Sequence, residues 1–441
     1  MKKQTGLLLL AVLVLGLLGG VYLWLSAQSE AEPPAAEDET PQIQWQTVFE
    51  EAAEAIKITV TNKKESYGFI KEEAEWTLLA APGARLKKAN VDALALATGT
   101  VRASDAFAPT DALSSYGLEN PSVLEVSFVN GNALKLQLGD VTVDGNGYYA
   151  LINDQTDVYV LDAELGEMLW HNAIYYRETT MLNVSQNSLQ SIKVLMDGGN
   201  VFCVEPVPEN EKGIRFSMWE IVSPVRVAVN DTVFTQKVIA ALNPIAASAF
   251  VDNPGAMKNY GIGEKYVEAS DGKTTVRLYF GNRTEKGVYV WDGISPYLAI
   301  VKNFPFDTLD YREVMDMHVM LEFMEDVEAI EVDFGTTAYS LAAKNGSFTL
   351  DGAPIDESVY KNLYQKIASL QYSDGPTGEN GFSELRLSIT MTMKDGSTRY
   401  AHFYDDSAMK YYVETEGLSG CLIEKKIVDN FEGMLMQAKQ K

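Results

Sequence analysis

Three stretches of this chain open alike at nearly constant spacing. They read Ala55-Ile56-Lys57-Ile58-Thr59-Val60, Ser191-Ile192-Lys193-Val194-Leu195-Met196 and Ala329-Ile330-Glu331-Val332-Asp333-Phe334, with Ile192 136 residues after Ile56 and Ile330 138 after Ile192. Self-similarity at a fixed period makes the repeating unit, rather than the whole chain, the thing that must fold. The length agrees, because 441 residues at about 150 per domain allow roughly three domains.

The resemblance continues along each stretch. A strand with Trp76-Thr77-Leu78 and Pro82 after it is matched by Trp219-Glu220-Ile221 with Pro224, and more weakly by Phe348-Thr349-Leu350 with Pro354. Apolar periodicity then predicts amphipathic helices over 89–100, 231–242 and 356–370. Next comes a short helical stretch closed by a glycine. Thr110 is expected to cap 111–116 before Gly117, and Asn253 to cap a stretch that Pro254 opens before Gly261. The third stretch has Asn380-Gly381-Phe382 at that point. Asn130-Gly131, Asp271-Gly272 and Asp395-Gly396 each separate two alternating runs, which predicts three hairpins. Later strands are expected over 148–152 with 157–161, 288–291 with 297–301, and 411–414 with 420–424. The expected fold class is α+β: an N-terminal transmembrane helix followed by three tandem repeats of a mainly antiparallel sheet with a packed helix. The boundaries are 49–186, 187–324 and a degenerate third unit at 325–441.

Ahead of the repeats, residues 7–25 are 19 uncharged side chains following Lys2 and Lys3. As a helix they cover about 28 Å, close to the hydrocarbon thickness of a bilayer. Tyr22 and Trp24 suit the outer interface, and the next basic residue is Lys57. Positive charge only on the N-terminal flank predicts a cytoplasmic N-terminus and an extracytoplasmic remainder, localised to the cell membrane as a single-pass protein. The alternative is a signal peptide cleaved after Ala27. Residues 1–27 thus form the stub and anchor. Residues 28–48 are a linker, opening with an acidic, Pro-rich run that includes Pro33-Pro34.

The pattern of an isoleucine strand, Trp-x-[Leu/Ile] before Pro, a helix, Tyr-Gly-[Leu/Ile] at Tyr116-Gly117-Leu118 and Tyr260-Gly261-Ile262, a hairpin ending in Leu138-Gly139 or Phe280-Gly281, then Gly147-Tyr148-Tyr149 or Gly287-Val288-Tyr289, resembles the bacterial domain-of-unknown-function 4340 family. The likeness covers about residues 50–320, and the last third departs from it. The resemblance brings no catalytic residues. It implies a single-span envelope protein, some relatives being encoded with ABC transporter components that resemble the gliding-motility type.

Composition limits the chemistry. With 36 basic against 61 acidic residues, the net charge of −25 disfavours nucleic acid as a partner. Two cysteines and three histidines leave little for a thiolate or zinc site, so no cofactor and no metal are expected. Cys203 and Cys421 read as two buried thiols, with a disulfide between units as the alternative. His171, His318 and His402 read as structural or surface histidines, and neither a His-Glu-x-x-His pair nor a Gly-x-Ser-x-Gly elbow is present. Asp307, Asp310, Glu313 and Asp316 fall at intervals of three, which would set them on one broad helical face; a solvated acidic surface is expected there. Asp144-Gly145-Asn146-Gly147 reads as a turn. Tyr176-Arg177-Glu178 and Tyr311-Arg312-Glu313 close the first two units, making Tyr176, Arg177, Tyr311 and Arg312 the candidate binding or structural positions, with no catalytic residues expected. The functional expectation is a noncatalytic extracytoplasmic binding or scaffold protein, accessory to an ABC transport system or another envelope protein. The alternatives are a glycan-binding module, suggested by 22 tyrosines and 6 tryptophans, and an envelope hydrolase.

Overall fold

A computed structural model describes residues 44–208, 216–377 and 383–440. The expected membrane helix at 7–25 and the Asn380-Gly381-Phe382 turn lie outside the described residues. Among the described residues, no helix is long and apolar enough to cross a membrane. The architecture is α+β: mostly antiparallel sheets with a few helices.

The chain divides into two compact units, one holding residues up to Ala55 together with Leu96–Trp170, the other holding Ile56–Ala95 and His171–Lys441. The expected segment 49–186 therefore contributes to both. In the first unit the strands Gln46–Glu50, Thr100–Phe107, Val158–Asp162, Gly147–Ile152, Ala133–Val141 and Ser122–Phe128 lie side by side in that order, each neighbour antiparallel. Ser122–Phe128 shows why: Leu124, Val126 and Phe128 alternate with polar residues and are buried, while the residues between them face outward. The helix Ala163–Trp170 packs on strands of this sheet through Leu165 and Leu169.

The second unit begins with the strands Ala55–Thr61, Ser66–Glu72 and Glu75–Leu78, paired in sequence. A nine-stranded sheet follows, in the order Val227–Ala228, Trp219–Ser223, Val201–Pro206, Ser191–Leu195, Tyr266–Ser270, Thr275–Thr284, Gly287–Trp291, Tyr297–Val301, Ala249–Asp252. An eight-stranded sheet then runs Ala353–Pro354, Ser347–Leu350, Ala338–Lys344, Val327–Asp333, Leu385–Met393, Thr398–Asp405, Lys410–Thr415, Leu418–Glu424. The two orders match strand for strand until the nine-stranded sheet adds its last member. One continuous cluster of buried side chains runs from Leu182 to Ala438 across both sheets.

The hairpins form where Asn-Gly and Asp-Gly placed them, with Gly131, Gly272 and Gly396 all at positive φ. In each stretch the aromatic residue on the third strand leans on the following helix. Trp76 donates its indole N–H to Asp92 at 2.9 Å, the Trp219 ring lies 5.4 Å from Phe234, and Phe348 lies 4.9 Å from Tyr360. Of the expected helices, Lys88–Gly99 and Glu357–Ala368 are regular. The stretch expected over 231–242 is helical throughout but changes type, being α over Asp231–Phe234, a wider π turn over Thr235–Ile239 and 3-10 over Ala240–Leu242. Sequence periodicity did not reveal the helix Lys425–Lys439, which buries Val428, Phe431, Leu435 and Ala438 along one stripe and touches Glu357–Ala368.

The Tyr-Gly turns are shorter than expected, and their caps differ. They are single 3-10 turns, Leu113–Tyr116 and Met257–Tyr260, with no side-chain cap; Thr110 and Asn253 do not cap them. Gly117 and Gly261 close the turns at φ 70° and 73°. The carbonyl of each turn tyrosine presses onto a strand glycine. A Cβ at Gly139 would sit 2.1 Å from the Tyr116 carbonyl oxygen, and one at Gly281 would sit 2.2 Å from that of Tyr260. The second glycine of each motif is similar: a Cβ at Gly147 would be 2.6 Å from the Leu161 carbonyl oxygen, and one at Gly287 would be 2.4 Å from that of Val301. In the eight-stranded sheet Tyr404 follows Phe403 where glycine follows Leu138 and Phe280.

Because the obstacle at Gly281 is backbone, Gly281→Ala is expected to destabilise the protein by about 1–3 kcal/mol. Gly433, in the exposed middle of the last helix, meets nothing within 4 Å, so Gly433→Ala is expected to stabilise it by about 0.5–1 kcal/mol. Urea midpoints of the two variants should move in opposite directions.

Candidate functional site

Arg177 emerges from the 3-10 turn Ala173–Tyr176 into a short backbone bridge with Leu86, flanked by Lys87 N–H donating to the Tyr176 carbonyl and Glu178 N–H donating to that of Arg85. This pairing aims the guanidinium at the edge strand Ala249–Asp252. Its Nη1 donates to both Asp252 carboxylate oxygens at 2.9 Å. The guanidinium carbon stands 3.8 Å from the centroid of Phe250 and 5.0 Å from that of Tyr297. Phe250 and Tyr297 meet edge to face at 5.3 Å, so the cation is stacked against two rings while paired with one carboxylate. The Arg177 side chain is only 5% exposed, and its Nη2 has no hydrogen-bond partner.

Around this core, residues 80–87 seat on the nine-stranded sheet. Arg85 donates through Nε to the Tyr297 hydroxyl at 3.4 Å and lies 3.9 Å from Asp292. Asn253, at φ 51°, donates to the Ala80 carbonyl, and Gly83 lets Pro296 approach to where a Cβ would be 2.4 Å away. Burial alone would raise the Asp292 carboxyl. The Ser295 hydroxyl, the Ser295 and Ile294 backbone N–H groups and Arg85 together hold it below the usual carboxylate value. Tyr176 itself is buried, 5.2 Å from Phe69 and 5.8 Å from Tyr67, and burial pushes its hydroxyl up to about 12.

On the face of the nine-stranded sheet opposite Val267, Leu278 and Val290, a row of rings crosses three neighbouring strands, Tyr266 being buried and Tyr279 and Trp291 half-buried. Tyr266 pairs across from Tyr279, and Tyr279 from Trp291, with centroids 6.3 and 5.8 Å apart. Arg277 lies 4.2 Å over Tyr266 and is held by Glu268. The indole N–H of Trp291 donates to the Ser295 carbonyl, so the row ends at the loop that contacts Arg85.

The second Tyr-Arg-Glu sits differently. The backbone bridge that Arg177 makes with Leu86 is made by Met315, with Val229; Asn230 N–H donates to the Val314 carbonyl, and Asp316 N–H to that of Ala228. The motif at Tyr311-Arg312-Glu313 is thus displaced by three residues along the chain. Arg312 is half exposed, pairs with Asp310 two residues away, and lies against Gly375; Tyr311 is half-buried on the core. The structure does not bring Arg177 and Arg312 into equivalent surroundings.

The four carboxylates expected on one helical face are on no such helix, since only Tyr311–Glu313 is helical there. Each has its own basic partner: Asp307 with Arg283, Asp310 with Arg312, Glu313 with Lys237, and Asp316 with the His318 ring. Asp144-Gly145-Asn146-Gly147 is a turn, in which Asp144 accepts from the Thr142 hydroxyl and the Asn146 N–H. Among the described residues no group of three or more potential ligands could hold a metal ion. His318 shares Nδ1 with Asp316 at 2.6 Å and places Nε2 3.0 Å from the Gln371 amide nitrogen. His171 stacks on Tyr175 at 3.7 Å, and His402 lies 3.8 Å from Glu414. Cys203 and Cys421 are free thiols; burial raises both, Cys421 to about 12.

Residues 76–262 and 219–380 match the family described as domain of unknown function DUF4340. The chain belongs to this family. The two matched regions open at Trp76 and Trp219, the residues that lean on the following helix in each stretch. Neither a curated protein nor a solved structure matches the chain. Arg85, Phe250, Asp252 and Tyr297 were not singled out from sequence. Each lies at least 70 residues from Arg177, and no local pattern links them.

Arg177→Met leaves the Asp252 carboxylate and two rings without their cation and is expected to cost about 3 kcal/mol. The corresponding change at the half-exposed Arg312 should cost less than about 1 kcal/mol. Denaturant melts of the two variants provide the comparison. In thiol labelling of the native protein, Cys421 is expected to stay unmodified until denaturant is added, with Cys203 reacting slowly.

Proposed function

We propose that this protein is a noncatalytic, membrane-anchored extracytoplasmic binding or scaffold protein, built as three tandem copies over 49–186, 187–324 and 325–441 and serving as an accessory to an ABC transport system. The observation that carries the reading is the packed joint. Arg177 and Arg85 clamp residues 80–87 to the nine-stranded sheet, and a single buried cluster continues from Leu182 to Ala438. Within the second unit, residues 80–87 and the two sheets are held by buried contacts rather than by flexible linkers, which is the firm surface a partner-binding scaffold requires. The matching strand orders and the paired glycine contacts support the repeat reading, with the third copy lacking both the glycine and the ninth strand. The membrane anchor rests on the uncharged run at 7–25 and the lysines before it. The ABC connection rests on what the family resemblance implies about neighbouring genes.

The row Tyr266, Tyr279 and Trp291 favours a second reading, a wall-glycan binder. The half-buried rings of Tyr279 and Trp291, on adjacent strands and backed by the buried Tyr266, can stack on sugar rings.

In-cell crosslinking followed by affinity purification and mass spectrometry, against an anchor-only control ending at Gln42, tests the first reading. Transporter subunits recovered only with the full chain are the expected outcome. Recovery of wall fragments alone, lost on changing Tyr279 and Trp291 to Ala, would replace it with the second.

A further inference from the structure

The helix that follows the aromatic strand in each stretch has an apolar residue two positions before it: Leu86 before Lys88–Gly99, Val229 before Asp231–Phe234 and Ile355 before Glu357–Ala368. Leu86 is bridged by Arg177 and Val229 by Met315, with the same pair of hydrogen bonds around each. Lys87 and Asn230 N–H donate to the carbonyls of Tyr176 and Val314, and Glu178 and Asp316 N–H donate to those of Arg85 and Ala228. Three residues further on, the same segment pairs with the strand after the next helix, Thr180 standing opposite Ala246 and His318 opposite Gln371. Each such segment therefore pairs first with the stretch behind it and then with the stretch ahead.

The third stretch has no bridge of this kind. Ile355 N–H turns inward to the Phe348 carbonyl, as Val229 N–H does to that of Trp219, so the Pro354 carbonyl and the Asp356 N–H turn to the opposite side. Asp356 N–H has no hydrogen-bond partner among the described residues, and Pro354 and Asp356 are both exposed. Proline at 354 removes no donor that the bridge uses, since Arg85 and Ala228 enter it through their carbonyls. The other end of the chain carries the matching half. Gln46–Glu50 lies on Thr100–Phe107 as Thr180–Leu182 lies on Ile245–Ala246, with the same irregularity between Thr47 and Phe49 as between Thr180 and Leu182. Three residues before Thr47 stands Gln44, the counterpart of Arg177 and Met315, flanked by Ile43 and Trp45. Gln44 is exposed, and the Trp45 N–H has no hydrogen-bond partner among the described residues. Ile43 is apolar where its counterparts Tyr176 and Val314 are buried.

We propose that this protein associates with a second copy of itself head to tail, residues 43–45 of one molecule forming a bridge at 354–356 of the next. Gln44 stands opposite Ile355, Asp356 N–H donates to the Ile43 carbonyl, and Trp45 N–H donates to that of Pro354. Unlike ends meet in this contact, so it extends molecules into rows. It rests on the three-copy reading, because 43–45 and 354–356 match as the two unfilled halves of a joint between copies.

Cysteine variants of the full chain in detergent, all carrying Cys203→Ser, test the proposal. An oxidised mixture of Gln44→Cys and Ile355→Cys is expected to give a disulfide-linked heterodimer that neither variant gives alone, because opposed residues of such a bridge stand within disulfide reach. Asp356→Pro deletes the donor at a φ of −65° that proline shares, and it should weaken self-association in sedimentation velocity about tenfold. Val229→Cys with Met315→Cys in one chain is the control and should crosslink internally, where the joint already stands. Failure of that control would overturn the joint, and the three-copy reading with it. With the control positive, absence of the heterodimer, or self-association of Asp356→Pro equal to that of the unchanged chain, would overturn the head-to-tail contact alone.

Discussion

Where the Tyr116 and Tyr260 carbonyls press onto the strands at Gly139 and Gly281, backbone meets backbone with no room for a methyl group. That contact fixes the point at which the chain, leaving its 3-10 turn, may lie across the hairpin strands, and the left-handed Gly117 and Gly261 are what let the turn arrive there. A side chain at either strand position would have to push away a carbonyl, not a rotatable group. The constraint therefore couples two sites more than 20 residues apart in sequence: the turn and the strand glycine are kept together or lost together. The eight-stranded sheet illustrates the second case, with Tyr404 at the strand position and no Tyr-Gly pair before its hairpin.

The joint around Arg177 rests on different physics. In a chain with a net charge of −25, a buried guanidinium is favoured by the general field, and the desolvation it suffers is offset by one carboxylate contacted through Nη1 and by two ring faces. Aspartates crowded on one surface would repel one another. The structure avoids this by giving Asp307, Asp310, Glu313 and Asp316 separate basic partners drawn from different elements. Excess acid is thereby spread over the surface rather than gathered into a cation site.

What could be read from sequence was whatever local chemistry determines. Asn-Gly and Asp-Gly turns, alternating strands and the amphipathic stretch at Glu357–Ala368 need only neighbours to form, and they stand where expected. The errors came from treating short identities as equivalent places. Tyr-Arg-Glu recurs, but a three-residue shift in the chain puts Met315, not Arg312, in the bridge that holds Arg177. A spacing of three suggested a helix through Asp307–Asp316, yet only Tyr311–Glu313 is helical, and Asp307 and Glu313 pair with Arg283 and Lys237 from other elements. The partners of Arg177 come from a strand and a loop reached only through the fold, so no window of sequence contains the site. The helix Lys425–Lys439 follows the strand Leu418–Glu424 as Ala163–Trp170 follows Val158–Asp162, but the two helices share no short identity that would have drawn them together in the sequence.

The division of the chain into interleaved units bears on how the protein is made. Residues Ile56–Ala95 belong with His171–Lys441, while the stretch between, Leu96–Trp170, belongs to the other unit. The Tyr67 hydroxyl donates to the carbonyl of His171, and Lys87 pairs with Tyr176, so the early strands acquire these partners only after the whole intervening stretch has been synthesised. At ordinary elongation rates that is a wait of about 4–15 s. Through that interval Phe69 lacks the ring that Tyr176 lays against it, so the early strands receive their closing contact only long after they themselves have been made.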